Sequence, residues 1–292
     1  VILAQLFTYH TTSIQQITLE KTMTNTPNQL HIISFDIPYP PDYGGVIDVF
    51  YKIKALHAQG IKITLHAFRY NDRTAAPELE AYCEKIYYYD RKMHPLSMFS
   101  RSPFIVASRQ VAALLVNLCT DDAPILFEGL HSCGFAGHPK LKDRFKIVRM
   151  HNVEWQYYAH LCTLEPTILK KMYFRTESEK LKKLEKRLLP YLDAVLTIAP
   201  EDQKYFEENY TDTAQKFHFI PPFHPNETLE TTQGKGKFAL FHGKLSVSDN
   251  EKAALALVHI FRDLDTPLSI AGKNPTKRLR KAVQSFPHIR LI

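Results

Sequence analysis

From residue 30 onward the chain alternates short apolar runs with longer amphipathic stretches, and few folds accept that alternation. The runs LHIISFDI (30–37), IKITLHAF (61–68), EKIYYYD (84–90), PILFEGL (124–130), FKIVRMH (145–151), DAVLTIA (193–199) and FHFIPP (217–222) read as strands. Between the first two, VIDVFYKIKALHAQG (46–60) places Val46, Val49, Phe50, Ile53 and Leu56 on one stripe and closes on Gly60, as a helix does. SPFIVASRQVAALLVNLC (102–119) reads as one buried helix. Strand–helix–strand units of this length predict an α/β protein with mostly parallel, Rossmann-like sheets. Ligands are then expected at the carboxyl ends of the strands.

The pattern restarts late in the chain. After the polar, aperiodic FHPNETLETTQGKG come FALFHG (238–243), a helix over 250–264, PLSIAG (267–272), a helix over 275–285 and IRLI (289–292). A length of 292 residues is comfortable for two domains. The expected division is an amino-terminal domain over 30–222, a linker over 223–236 and a second domain beginning at 237. Met23 stands just before a polar TNTPNQ, so residues 1–29 read as a leader. The chain stops at HIRLI, in the middle of an expected sheet, which reads as an incomplete second domain and as a chain inactive alone.

Charge narrows the partners. A net charge of +7 favours anions: phosphorylated small molecules, anionic lipid or nucleic acid. No RNP-like aromatic motif, zinc finger or Arg-rich tail accompanies it, so no nucleic-acid partner is expected. The four cysteines form no CxxC pair and suit reduced thiols in a cytoplasmic protein. His131, Cys133 and His138 lie close together, but their spacing matches no standard metal site, and none is expected.

Several short stretches carry chemistry-bearing residues. In FDIPYPPDYGGVIDVF (35–50), Gly44 and Gly45 follow the first strand and open a helix. They either relieve a tight turn or present bare backbone N–H groups to an anion, and spacing alone leaves both readings open. RMHNVEWQYYAHL (149–161) gathers His151, Asn152, Glu154, Trp155, Tyr157 and Tyr158 past a strand end. That is either a polar-ligand site with aromatic walls or a turn with Asn152 as helix cap. EGLHSCG (128–134) puts Glu128 and His131 at a similar place. The basic region over 168–192 has a stripe of Leu181, Leu184, Leu188 and Leu192, with Lys182, Lys183, Lys186 and Arg187 around it. It is either a solvated surface helix or a contact with anionic lipid.

Taken in order, PYPPDYGGVIDVFYKIKALHAQG, FEGLH, KIVRMHNVEWQYY, LEKRLLPYLDAVLTIAPEDQKYF, IPP and FALFHGKLSVSDNEKA resemble glycosyltransferase family 4, with the GT-B fold of two facing Rossmann-like domains. The resemblance covers residues 30–292. It implies a retaining transferase, with no obligatory metal or cofactor, that moves a sugar from a nucleotide-sugar donor to a glycan or lipid-linked acceptor. It implies donor contacts at Gly44, Gly45 and Lys244, a catalytic contact to the donor sugar at His131, and acceptor contacts at His151, Asn152 and Glu154. Asp48 stands where the family often has a basic residue, and SDNEK replaces an expected Lys-Gly. The acidic pair that grips the donor would lie past Ile292. Two other readings remain: a nucleotide-sugar epimerase on the same fold, which needs acid and base carboxylates in the cleft, and a non-catalytic protein that holds a glycan or a membrane surface.

Overall fold

The computed structural model describes residues 28–292 except 71, 95–99, 227 and 229–233. The expected leader lies almost wholly outside the described residues. The described chain divides between Pro225 and Asn226 into two compact units. Phe223, in the stretch expected to be linker, is buried in the first of them.

The first unit is a seven-stranded parallel sheet in the order β3-β2-β1-β4-β5-β6-β7. Its strands are β1 (Gln29–Ser34), β2 (Lys62–Arg69), β3 (Lys85–Asp90), β4 (Ile125–Glu128), β5 (Lys146–Met150), β6 (Ala194–Thr197) and β7 (Phe217–Phe219). The predicted α/β class is therefore the observed one. Alternate residues feed two cores, one on each face: Leu30, Ile32, Leu126 and Ile147 on one side, Ile33, Phe127, Val148 and Met150 on the other. Helix α1 (Gly44–Ala58) covers the first face with its predicted stripe. The order reverses between β1 and β4, and the crevice beyond those two strand ends is where such sheets bind ligands.

The run over 102–119 is not one helix. It splits into α2 (Phe104–Ala107) and α3 (Ala112–Leu118). Buried Arg109 lies in the break and turns inward, donating to the Ile105 carbonyl at 2.7 Å and twice to the Phe35 carbonyl at 3.0 and 2.9 Å. Gln110 donates to the Gly134 carbonyl. Apolar periodicity registers neither side chain, because both are polar and reach backbone carbonyls of other segments, Phe35 and Gly134.

Beyond β5, α4 (Glu154–Leu164) and α5 (Ile168–Leu188) form a hairpin, followed by α6 (Pro200–Asn209). The second unit is a three-stranded parallel sheet, β10-β9-β8, built from β8 (Ala239–His242), α7 (Ser248–Phe261), β9 (Leu268–Ala271), α8 (Lys277–Gln284) and β10 (Ile289–Leu291). Among the described residues, no helix is long and apolar enough to cross a membrane.

Inside the first sheet a polar chain threads the core. His31 lies 2.9 Å from Asp121, its other ring nitrogen lies 2.8 Å from His66, and His66 lies 2.9 Å from the Tyr89 hydroxyl, to which Asn117 donates at 2.8 Å. One proton arrangement satisfies every member. Asn117 donates to Tyr89, Tyr89 to His66, His66 to His31, and His31 to the Asp121 carboxylate. Protonating His31 would force His66 to reverse its tautomer, and protonating His66 would turn the Tyr89 hydroxyl from donor to acceptor, so either charge breaks this one-way order. Burial lowers the pKa of His31, and burial with the nearby His31 lowers that of His66 to about 3. The unfolded chain takes up protons near 6.5 and the folded chain does not. Stability is thus fully present above that pH and falls as pH drops toward the folded values, by up to about 1.4 kcal/mol per pH unit per histidine. Urea midpoints at pH 7.5, 6.0 and 5.0 should fall in this way, and His66→Gln should flatten the slope. Parallel slopes for the two proteins would show that His66 is not kept neutral.

Candidate active site

Three chain segments leave the carboxyl edge of the sheet around the switch point: Phe35 and Asp36 after β1, Gly129 to His131 after β4, and His151 to Glu154 after β5. Beneath them lies a fully internal ionic cluster. Asp48 and Lys52, one helical turn apart on α1, point into the sheet, and Lys52 Nζ lies 2.8 Å from the Asp48 carboxylate. The same ammonium lies 2.9 Å from Oε1 and 3.1 Å from Oε2 of Glu128, the last residue of β4, with hydrogen-bond geometry at Oε2. Arg149, from β5, grips Asp48 with two nitrogens at 2.9 and 3.1 Å. Its remaining hydrogens go to the carbonyls of Thr197, Ile220 and Pro221 at 3.3, 2.6 and 3.0 Å. The Phe223 N–H also donates to Asp48, at 2.8 Å.

Burial alone would raise the Asp48 pKa, but Lys52 and Arg149 outweigh it and hold the carboxyl well below its usual value. His151 closes the cluster, with Nε2 3.2 Å from Glu128 and 3.9 Å from Asp48. Asp48, Glu128 and His151 place one ligand atom each within 4.8 Å of one another. The Lys52 ammonium already bridges the two carboxylates and supplies the positive charge a metal ion would bring.

Above this platform the side chains are less satisfied. The Phe35 ring stands between two imidazoles, its centroid 5.4 Å from that of His131 and 5.4 Å from that of His151. His131 Nδ1 lies 3.9 Å from Glu154, and it is buried with no hydrogen-bond partner among the described residues. Burial, reinforced by Arg109 and His151, keeps the His131 pKa well below the ordinary histidine value, so the ring is neutral. Burial raises Glu154 to about 7, partly offset by a hydrogen bond from Asn152 and reinforced by Glu185. A neutral imidazole thus faces a carboxyl that changes state near neutrality.

The residues expected at the site fall into three groups. His131, His151 and Glu154 come together at one strand edge. Asn152 is exposed beside them and bonds to Glu154, and the helix cap is Val153, so the reading of Asn152 as N-cap is replaced. Gly44 and Gly45 begin α1 as expected, but only one is sterically required. A Cβ on Gly45 would meet the Phe35 ring at 2.8 Å, whereas one on Gly44 would meet nothing within 4 Å. The second glycine therefore makes room for Phe35, and the exposed first leaves bare backbone at the helix mouth. Lys244, in the second unit, is exposed just past β8, and its carbonyl accepts from Val247 and Asn250.

Sequence reasoning missed Phe35, Lys52, Arg149, Gly129 and the role of Asp48. Gly129 has φ +69°, and a Cβ there would also lie 2.8 Å from His131 Nδ1. A signal for the ionic cluster existed: Asp48 and Lys52 interrupt the otherwise apolar face of α1 at a spacing of four.

No family model matches the chain. An uncharacterized 44.6 kDa protein in the cps region of Klebsiella pneumoniae is 27% identical over 178 residues, 59% of this chain and 45% of that protein. The matched segment thus spans less than half of that relative. Among solved structures, the calicheamicin glycosyltransferase CalG4 superposes with a TM-score of 0.48 at 12% identity, covering 90% of this chain and 70% of its own. The glycosyltransferase SnogD from Streptomyces nogalater gives 0.47 at 13% identity, with the same coverage.

The cluster makes a sharp prediction. Lys52→Met strips the shared cation from two buried carboxylates and should cost about 3–5 kcal/mol. Adding Glu128→Gln should restore part of that loss in urea unfolding. A single variant within about 1 kcal/mol of the parent would mean that Arg149 alone holds the carboxylates.

Proposed function

We propose that the protein is a retaining glycosyltransferase that moves a sugar from a nucleotide-sugar donor to a glycan or lipid-linked acceptor in polysaccharide assembly, in the cytoplasm and without a metal. The observation that carries this reading is the neutral imidazole of His131 beside Glu154 at the switch-point edge, its Nδ1 without a hydrogen-bond partner among the described residues. The ordered motifs that resemble family 4 support it.

The chemistry suits such a transfer. As the bond between sugar and diphosphate breaks, positive charge gathers on the sugar ring and negative charge on the leaving group. A neutral imidazole can hydrogen-bond the sugar without adding a cation beside the reacting carbon. Glu154, as carboxylate, can accept a hydrogen bond from the acceptor hydroxyl, with Asn152 and His151 alongside. The bare N–H groups at Gly44 and Gly45, and the ammonium of Lys244, are the groups proposed to meet diphosphate charge. The epimerase alternative is weakened at one point. Of the carboxylates in this region, Asp48 and Glu128 are tied up by Lys52, with Arg149 on Asp48, and Asp36 is held by Tyr43 and Arg73, so Glu154 has no free carboxylate beside it as acid–base partner.

The test is turnover of the full-length protein against a panel of nucleotide sugars. His131→Ala should lower kcat on the order of 10²–10³-fold with an unchanged circular dichroism spectrum. Activity should rise with pH through about 7 as Glu154 ionises, and Glu154→Gln should remove that inflection. Wild-type turnover in His131→Ala would return His131 to a packing role. No consumption of any donor by the parent would favour the non-catalytic binding reading.

A further inference from the structure

Helix α5 has 21 residues and is therefore about 31 Å long, whereas the four-residue strand β6 that follows it is about 13 Å. The helix ends at the amino edge of the sheet, where Asp193 donates to the Lys146 carbonyl. Its buried residues are Glu177, Ser178, Leu181, Leu184, Glu185 and Leu188. Only its second half therefore packs on the core. The first half runs out past the carboxyl edge with α4 as its partner. The Cys162 thiol against the Lys171 carbonyl and the Ser178 hydroxyl against the Trp155 carbonyl mark the pairing.

The tip of this hairpin is apolar and open. Ile168 is 74% exposed, Leu169 78% and Met172 61%. Lys170 and Lys171 are interleaved with them, and Arg175 stands one turn on. Below the tip come four packed aromatics: Tyr157 against Tyr158, Tyr158 against Phe174, and Phe174 against Tyr173. The acids nearby are Glu165, which accepts from the Thr167 N–H, and Glu179, 3.9 Å from Arg175. Three large apolar side chains stand here beside lysines and above aromatic rings, in one basic patch. It has the composition of a segment that enters the headgroup layer of a bilayer.

We propose that the α4–α5 hairpin tip is a docking site for an anionic lipid bilayer, with Ile168, Leu169 and Met172 inserting and Lys170, Lys171 and Arg175 meeting lipid phosphates. This moves the membrane contact away from Lys182, Lys183, Lys186 and Arg187, where Lys182 is already held over the Trp155 ring at 4.3 Å. The α4 arm starts at Glu154 and has 11 residues, so docking at the tip would hold the candidate active site about 16 Å, one arm's length, from the contact. The proposal rests on the transferase reading only for the usefulness of a lipid-linked acceptor.

The test is co-sedimentation of the protein, without donor, with vesicles of phosphatidylcholine alone or with phosphatidylglycerol added. Binding should require phosphatidylglycerol and weaken with salt. Ile168→Asn with Leu169→Asn should lower the partition coefficient at least about tenfold, as should Lys170→Gln with Lys171→Gln. The quadruple Gln variant at 182, 183, 186 and 187 should keep most of the binding. Loss of binding in the quadruple variant alone would overturn the proposal. So would absence of binding by the parent, or a dimer that the tip variants dissociate. Transfer to a water-soluble acceptor, measured without vesicles, separates failure of docking from failure of the transferase reading.

Discussion

The first unit depends on the contact between Arg149 and Asp48. One guanidinium joins a helix, the centre of the sheet and the carbonyls of Thr197, Ile220 and Pro221. Lys52 then binds Asp48 to Glu128. Charges this deep are tolerated because each is paired with an opposite one, although Glu128 Oε1 has no hydrogen-bond partner among the described residues. The cluster fixes where α1 lies relative to β4 and β5, and so sets the floor under His131, His151 and Phe35. A hydrophobic floor could be as stable, but it would not set register by direction as an Arg–carboxylate pair does.

Two sets of histidines are kept neutral by the same cause, burial, with different results. His31 and His66 are satisfied from end to end by a one-way chain of hydrogen bonds, and they hold the sheet together. His131 is only partly buried, yet its Nδ1 is enclosed and has no hydrogen-bond partner among the described residues. A satisfied buried histidine stabilises the fold, whereas a ring nitrogen left unsatisfied at a strand edge marks a candidate site.

The hairpin of α4 and α5 extends this logic to the surface. Its leucine stripe at 181, 184 and 188 packs as a helix face should. The apolar residues at 168, 169 and 172 remain mostly exposed. A helix with one end in the core and the other in solvent joins the strand edge where Glu154 sits to whatever covers its tip.

The sequence by itself determined the alternation of strands and helices, because period-2 and period-3.6 patterns are local and survive without tertiary information. It also singled out the loops after β1, β4 and β5, through glycine, histidine and carboxylate placed just past apolar runs, and the fold brings those loops to one strand edge. It could not show the break at Arg109, the passage of Asp48 and Lys52 into the core, or the steric need for Gly45 and Gly129. The break and the buried charges depend on partners far away in the chain, Phe35, Glu128 and Arg149, and the two glycines depend on where the Phe35 and His131 rings are packed. Tertiary structure alone decided which charges are buried and paired and which imidazole is left open. Burial and pairing are properties of neighbours in space, and the order of residues lists only neighbours along the chain.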